Sequence, residues 1–104
     1  MYLVGYNNLM RVRMTAVYLD WINSLKDAIV RARIQVRVDR LVHGNPGQFR
    51  QLTHGVSEMK IDVGPGYRVY YIQRGDELIV QLAGGDKSSQ RRDIATAIEL
   101  AENL

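Results

Sequence analysis

The sequence predicts an α+β fold of order β-α-α-β-β-β-α, in which an antiparallel sheet carries a helical hairpin and a C-terminal helix. Three observations predict it. Apolar residues recur at helical spacing in two runs between Thr15 and His43, separated by a capping aspartate. Residues 55–83 then alternate with period two between glycine-containing reversals, the signature of strands in a meander. A last apolar stripe at helical spacing closes the chain. No repeat, low-complexity tract or linker interrupts this order, so residues 1–104 are expected to form one domain around one modest core.

Taken in order, Leu9 to Met14 sets Arg11 and Arg13 against Met10, Val12 and Met14 and reads as a short first strand. Residues 1–8 have no clear period: they extend that strand or form a loosely held tail. Thr15 is an N-cap by residue type, since its hydroxyl can accept from an orphan backbone N–H. Tyr18, Trp21, Ile22 and Leu25 follow as the apolar stripe of a first helix, with Tyr18 and Trp21 placed in the core. Asp27 caps a second helix from Ala28 to His43, whose stripe is Val30, Ile34, Val38 and Leu41. Gly44 ends it, and Asn45, Pro46 and Gly47 form a turn.

In the next strand Met59, Ile61 and Val63 alternate with Glu58, Lys60 and Asp62. Gly64, Pro65 and Gly66 reverse the chain into a strand from Tyr67 to Gln73, rich in aromatic and β-branched residues. Gly75 and Asp76 reverse it again into Leu78 to Ala83. Ser88 or Ser89 then caps a helix to about Glu102, with Ile94, Ala97, Ile98 and Ala101 as its stripe. One sheet face is expected to be apolar, and the other to carry Glu58, Lys60, Arg68 and Tyr70 in the open. Chemistry, if there is any, is expected on that polar face.

Composition excludes several classes. No apolar run approaches the ~20 residues that span a bilayer, and no stretch reads as a signal peptide. With zero cysteines there are no disulfides and no thiolate metal sites, which fits a cytoplasmic protein. His43 and His54, at unrelated spacings, make no metal pattern. The Gly64–Gly66 motif opens no helix and so is no dinucleotide fingerprint. The formal charge is +3, compatible with a nucleic-acid partner. It is uneven: residues 1–54 hold eight basic and three acidic side chains, residues 55–104 six and eight.

Several residues admit both a chemical and a structural reading. Arg33, Arg37 and Arg40 run along one edge of the second helix, as a solvated flank or as a basic ridge for phosphates or an acidic partner. Arg68 and Lys60 are cross-strand partners of acidic neighbours or grips for an anion. Lys87, beside Gly84 and Gly85 at a helix start where the dipole is already positive, is more easily explained by an anionic ligand. Glu58 is a surface carboxylate or a proton acceptor. His54 is an exposed loop residue or a proton-transfer group.

The segments W-I-N-S-L-K-D (21–27), A-R-I-x-x-R-V-x-R-L-x-x-G-N (32–45), G-V-S-E-M-K-I-D-V-G-P-G-Y-R-V-Y-Y (55–71) and G-G-D-K-S-S-Q-x-x-D-I (84–94) together resemble the addiction-module killer family. That family is a HigB-like branch of the RelE/ParE toxin superfamily of type II toxin–antitoxin systems, and the resemblance runs over roughly residues 14–102. It implies a RelE-like fold and a cytoplasmic toxin that cuts mRNA on the ribosome, needs no metal or cofactor, and is neutralised by a co-encoded antitoxin of helix-turn-helix type. Position by position, Lys60 and Arg68 resemble the strand lysine and arginine that RelE-like enzymes hold near the scissile phosphate, and Lys87 resembles the arginine after the last core strand. Glu58 stands where those enzymes carry another lysine, which makes a carboxylate base conceivable. Asp93 stands about where some carry a tyrosine, leaving Tyr70 as the residue that could stack on a base. The superfamily also implies two alternatives: a ParE-like inhibitor of DNA gyrase without nuclease activity, or an inactive toxin that serves as corepressor with its antitoxin.

Overall fold

In the computed structural model, which describes residues 1–6 and 10–104, the order is β1 (Tyr2–Tyr6), β2 (Arg11–Met14), α1 (Ala16–Ser24), α2 (Ala28–Val42), β3 (Phe49–Gln51), β4 (Ser57–Ile61), β5 (Tyr67–Arg74), β6 (Leu78–Asp86) and α3 (Gln90–Glu102). Leu9, where the first strand was expected to begin, lies outside the described residues. The α+β class holds, with the helical hairpin and the C-terminal helix in place. Among the described residues, however, the sheet has six strands in the order β1-β2-β6-β5-β4-β3. Residues 2–6 form neither an extension nor a tail: they are a separate strand paired antiparallel with β2. Strand β3 is three residues long, too short for an alternating pattern to show in sequence. The sheet is also mixed, because β2 runs parallel to β6 from Arg11 opposite Leu78 to Met14 opposite Gln81. Only the return of a distant strand creates that pairing.

Both expected helix caps form. The Thr15 hydroxyl oxygen accepts from Tyr18 N–H at 3.1 Å and donates to the Leu82 carbonyl at 2.6 Å, so the start of α1 is also tied to β6. Asp27 accepts from Ile29 N–H at 2.9 Å, and Val30 N–H lies at 3.4 Å. Gly44 ends α2 with φ 92°; its N–H reaches the Leu41 carbonyl and the Asn45 N–H the Arg40 carbonyl, a Schellman closure. The last helix starts differently from expectation. Lys87–Ser89 form a 3₁₀ turn capped by Asp86, and Ser89 turns its hydroxyl to Asp93 instead of capping α3.

Helices cover both faces of the sheet. Val30, Ile34, Val38 and Leu41 of α2 and Tyr18 of α1 pack with Met59, Ile61, Val69, Tyr71 and Ile79 on one face. On the other, Ala97 of α3 packs with Val56, Tyr70, Ile72, Val80 and Leu82, and Ile94, Ile98 and Ala101 close the edges. The face expected to be open and polar is therefore largely roofed. The apolar stripe of α3 must bury itself somewhere, and β5 and β6 are buried on both faces for most of their length. No helix among the described residues is long and apolar enough to cross a membrane.

Two adjacent glycines let the helices approach. A Cβ on Gly84 would lie 2.2 Å from the Trp21 ring of α1, and one on Gly85 would lie 1.8 Å from the Asp93 carboxylate of α3. Gly84→Ala should therefore cost ~1–3 kcal/mol through overpacking, measured by urea unfolding. It should also shift the emission of Trp21, the only tryptophan. An unfolding midpoint and spectrum equal to wild type would contradict the packing described.

Candidate functional site

Strand register places the site. In the β4–β5 ladder Glu58 lies opposite Tyr70 and Lys60 opposite Arg68, and in the β5–β6 ladder Arg68 lies opposite Gly85. Period-two alternation thus sets Glu58, Lys60, Arg68 and Tyr70 on the α3 face, as their spacing indicates. What lies over them differs from residue to residue.

Glu58 is 5% exposed and is the hub of a polar cluster. Arg50, its partner across from β3, donates Nε–H to Oε1 at 2.8 Å, and Gln90 in the first turn of α3 donates to Oε2 at 2.9 Å. Burial would raise its pKa, but the hydrogen bonds from Arg50 and Gln90, with the Arg50 charge, outweigh burial and hold the carboxyl below the usual glutamate range. A carboxylate held this way is a weaker base and has its lone pairs engaged. The expectation of a base at Glu58 gives way to that of a brace joining β3, β4 and α3.

Tyr70 is fully buried. Burial pushes its hydroxyl pKa well above the usual tyrosine range, and the neighbouring Glu58 charge adds to the rise. The ring forms part of the core beneath α3, so Tyr70 has no face to stack on a base. The apolar packing of β5 against α3 overrides the expectation that it could.

The three cations lie at different depths. Arg68 is 7% exposed and donates from one terminal nitrogen to the Gly66 carbonyl at 2.8 Å; its Nε has no hydrogen-bond partner among the described residues. Directly across, Lys60 is half-exposed, with Nζ 3.5 Å from the Asp62 carboxylate. Like charges facing each other across a ladder repel, and a bound anion would relieve that repulsion. Lys87 is exposed on the 3₁₀ turn that follows β6. Lys60 and Arg68 thus stem from the neighbouring strands β4 and β5, ~4.8 Å apart, and Lys87 from the turn that follows β6. Beside them Asp93 accepts from the Ser89 hydroxyl at 2.5 Å over Gly85. Hydrogen bonds from the Ser88 hydroxyl and N–H, with a smaller contribution from the Arg68 charge, hold Asp86 below the usual aspartate range.

Other expected site residues lie elsewhere. His54, with φ 61°, contacts the Thr53 hydroxyl and lies 3.4 Å from Glu102, at the C-terminal end of α3. Gln90 marks the other end of that helix, ~18 Å away at 1.5 Å per residue. His54 therefore stands outside the cation group, and its proton-transfer role does not fit. Arg33, Arg37 and Arg40 project from α2, on the opposite side of the sheet. Arg37 is engaged by the protein itself, donating to the carbonyls of Lys60 at 2.8 Å, Pro46 at 3.0 Å and Gln48 at 3.5 Å. Arg33 and Arg40 are exposed.

Sequence reasoning missed Arg50 and Gln90. Arg50 sits on a strand that leaves no pattern, and Gln90 stands 32 positions after Glu58 in the chain.

The architecture is therefore a six-stranded α+β domain with helices on both faces and a cation pair at the edge of the roofed one. Residues 20–104 match the model of the phage-derived Gp49-like protein family (DUF891), and the chain belongs to that family. An uncharacterized protein of Haemophilus influenzae strain Rd is 38% identical over 94 residues, covering 90% of this chain and 95% of that protein. Lys60, Arg68, Lys87 and the residues that brace them all fall within the family match.

Because the folded carboxyl of Glu58 ionises below its unfolded value, its contribution to stability is complete above the unfolded pKa of ~4.3 and is lost as the pH falls through the lower folded value. Glu58→Gln should be less stable than wild type by ~2 kcal/mol at pH 7, and the gap should close on acidification below pH ~4. Salt should narrow it modestly, since the Arg50 side chain is 58% exposed. A gap independent of pH in urea titrations would remove Glu58 from the hub.

Proposed function

We propose that this chain is the toxin of a type II toxin–antitoxin system and acts as a ribosome-dependent, metal-independent endoribonuclease on mRNA, neutralised by a co-encoded antitoxin. The observation that carries this reading is the cross-strand pairing of Lys60 with Arg68, the latter nearly buried with an unbonded Nε. Family membership and the resemblance of the 55–71 segment to the killer toxins support it.

In the reaction the ribose 2′-hydroxyl passes its proton to solvent water as its oxygen bonds to the adjacent phosphorus, the bond from phosphorus to the 5′ oxygen of the next nucleotide breaks, and a 2′,3′-cyclic phosphate and a 5′-hydroxyl form. Negative charge grows on the non-bridging oxygens. Fixed donors contribute most where that charge develops, and a guanidinium held in a rigid ladder needs little reorganisation. Arg68 holds the phosphate, Lys60 supplies a second charge and a transferable proton for the departing oxygen, and Lys87 steers the strand from the rim. Glu58, Arg50 and Gln90 hold the platform rather than react.

A second reading, a gyrase inhibitor without nuclease activity, is favoured by one observation: α3 covers both Glu58 and Tyr70, leaving no carboxylate base or stacking ring in the row.

Brief expression followed by mapping of RNA 5′ ends tests the proposal. Wild type should arrest growth and yield new ends in translated mRNA. Lys60→Ala and Arg68→Ala should each lower cleavage by ~10²-fold. Lys60 is half-exposed, so its variant should keep wild-type thermal stability and report on chemistry alone. Undiminished cleavage in both variants would remove Lys60 and Arg68 from the site, and an absence of new RNA ends with the wild-type protein would sink the nuclease assignment. Intact mRNA with induction of the DNA-damage response would establish the gyrase reading instead.

A further inference from the structure

The second amphipathic face of α2 has no partner among the described residues. Its inward stripe is consumed by the core, yet Ile29 is 69% and Val36 47% exposed, and Ala32 between them is exposed as well. Positions 29, 32 and 36 are spaced by three and four residues, the spacing of a helix–helix seam. With Ile61 at the end of β4 and Asp62 and Val63 just after it, this stripe lines a groove of about 640 Å³. Arg33 and Arg40 border it, and among the described residues neither has an ion pair. Arg37 closes the floor by its bonds to the Lys60, Pro46 and Gln48 carbonyls. The one acid in the lining, Asp62, is already paired with Lys60.

We propose that this groove is a docking site for one amphipathic helix with acidic flanks, contributed by a partner protein. Ile29 to Arg40 covers ~16 Å of helix axis, three turns. Arg33 and Arg40, seven residues apart, stand ~10 Å apart along that axis, matching two carboxylates spaced by seven on the incoming helix. The centre of the groove is apolar and offers a nucleic-acid backbone nothing to bond. A second copy of this chain would bring the same arginines against these. Lys60 meets this surface only through Asp62, and the nuclease reading gives Ile29, Arg33, Val36 and Arg40 no part, so the inference does not rest on it.

The test is fluorescence anisotropy with a labelled, designed helical peptide carrying leucines along its seam and glutamates beside them. Its twin with lysines in place of the glutamates and a labelled oligouridylate serve as rivals. Saturable binding of the glutamate peptide is expected, with Val36→Glu weakening it ~10-fold or more. The double variant Arg33→Glu, Arg40→Glu should lose a similar factor for that peptide and gain affinity for the lysine twin. All three substitutions are on exposed positions, and circular dichroism checks that the fold is kept. The proposal is overturned by no saturable binding of the glutamate peptide, by equal binding of the two peptides, or by indifference to Val36→Glu. Oligouridylate binding that the arginine substitutions abolish and Val36→Glu leaves intact would make the face a nucleic-acid surface and likewise overturn it.

Discussion

Close approach of a helix to each face of one strand is the constraint on which the rest of the structure depends. Gly84 and Gly85 are consecutive, so their missing side chains would point to opposite faces of β6. Trp21 of α1 fills the space above the first, and Asp93 of α3 the space above the second. With β6 central, β5 beside it must also be buried on both sides, which is why Tyr67–Arg74 reads as aromatic and β-branched. Helix packing on both faces then settles which polar side chains of the sheet can still reach solvent.

Strand β4 is held from both directions. On the α2 side Arg37 donates to the Lys60 carbonyl, and on the α3 side Glu58 takes hydrogen bonds from Arg50 and Gln90. Lys60 is thus positioned through its backbone by one helix and through its strand neighbour by the other, while its own ammonium stays at the rim. Two charged groups have been turned into braces, and a third is left to face Arg68. The same economy separates the α2 arginines: Arg37 belongs to the fold, whereas Arg33 and Arg40 remain on the surface beside apolar residues that the core does not use.

Sequence reasoning was strongest where one contiguous segment carries the whole signal. Thr15 and Asp27 cap the helices expected of them, Val30, Ile34, Val38 and Leu41 are buried, and the meander turns where its glycines stand. The common face of Glu58, Lys60, Arg68 and Tyr70 was equally legible. Its exposure was not: alternation says which side chains share a face but not what covers it, and Ala97 with the rest of the α3 stripe arrives from beyond the next strand. His54 shows the converse error. It stands only four residues before Glu58 in the chain, yet a left-handed backbone turn sends it to the far end of α3.

By itself the sequence determined the α+β class, the helix limits to within a few residues, the β4–β5–β6 meander, and the placement of Lys60 and Arg68 on one side of it. Those properties follow from local periodicity and capping, which need no information from distant residues. Tertiary structure alone decided that β2 runs parallel to β6, that β3 supplies Arg50, that Tyr70 is core, and that Glu58 and Arg37 are braces. Each depends on contacts between segments far apart in the chain, where burial and hydrogen-bond geometry arise only once the two surfaces meet.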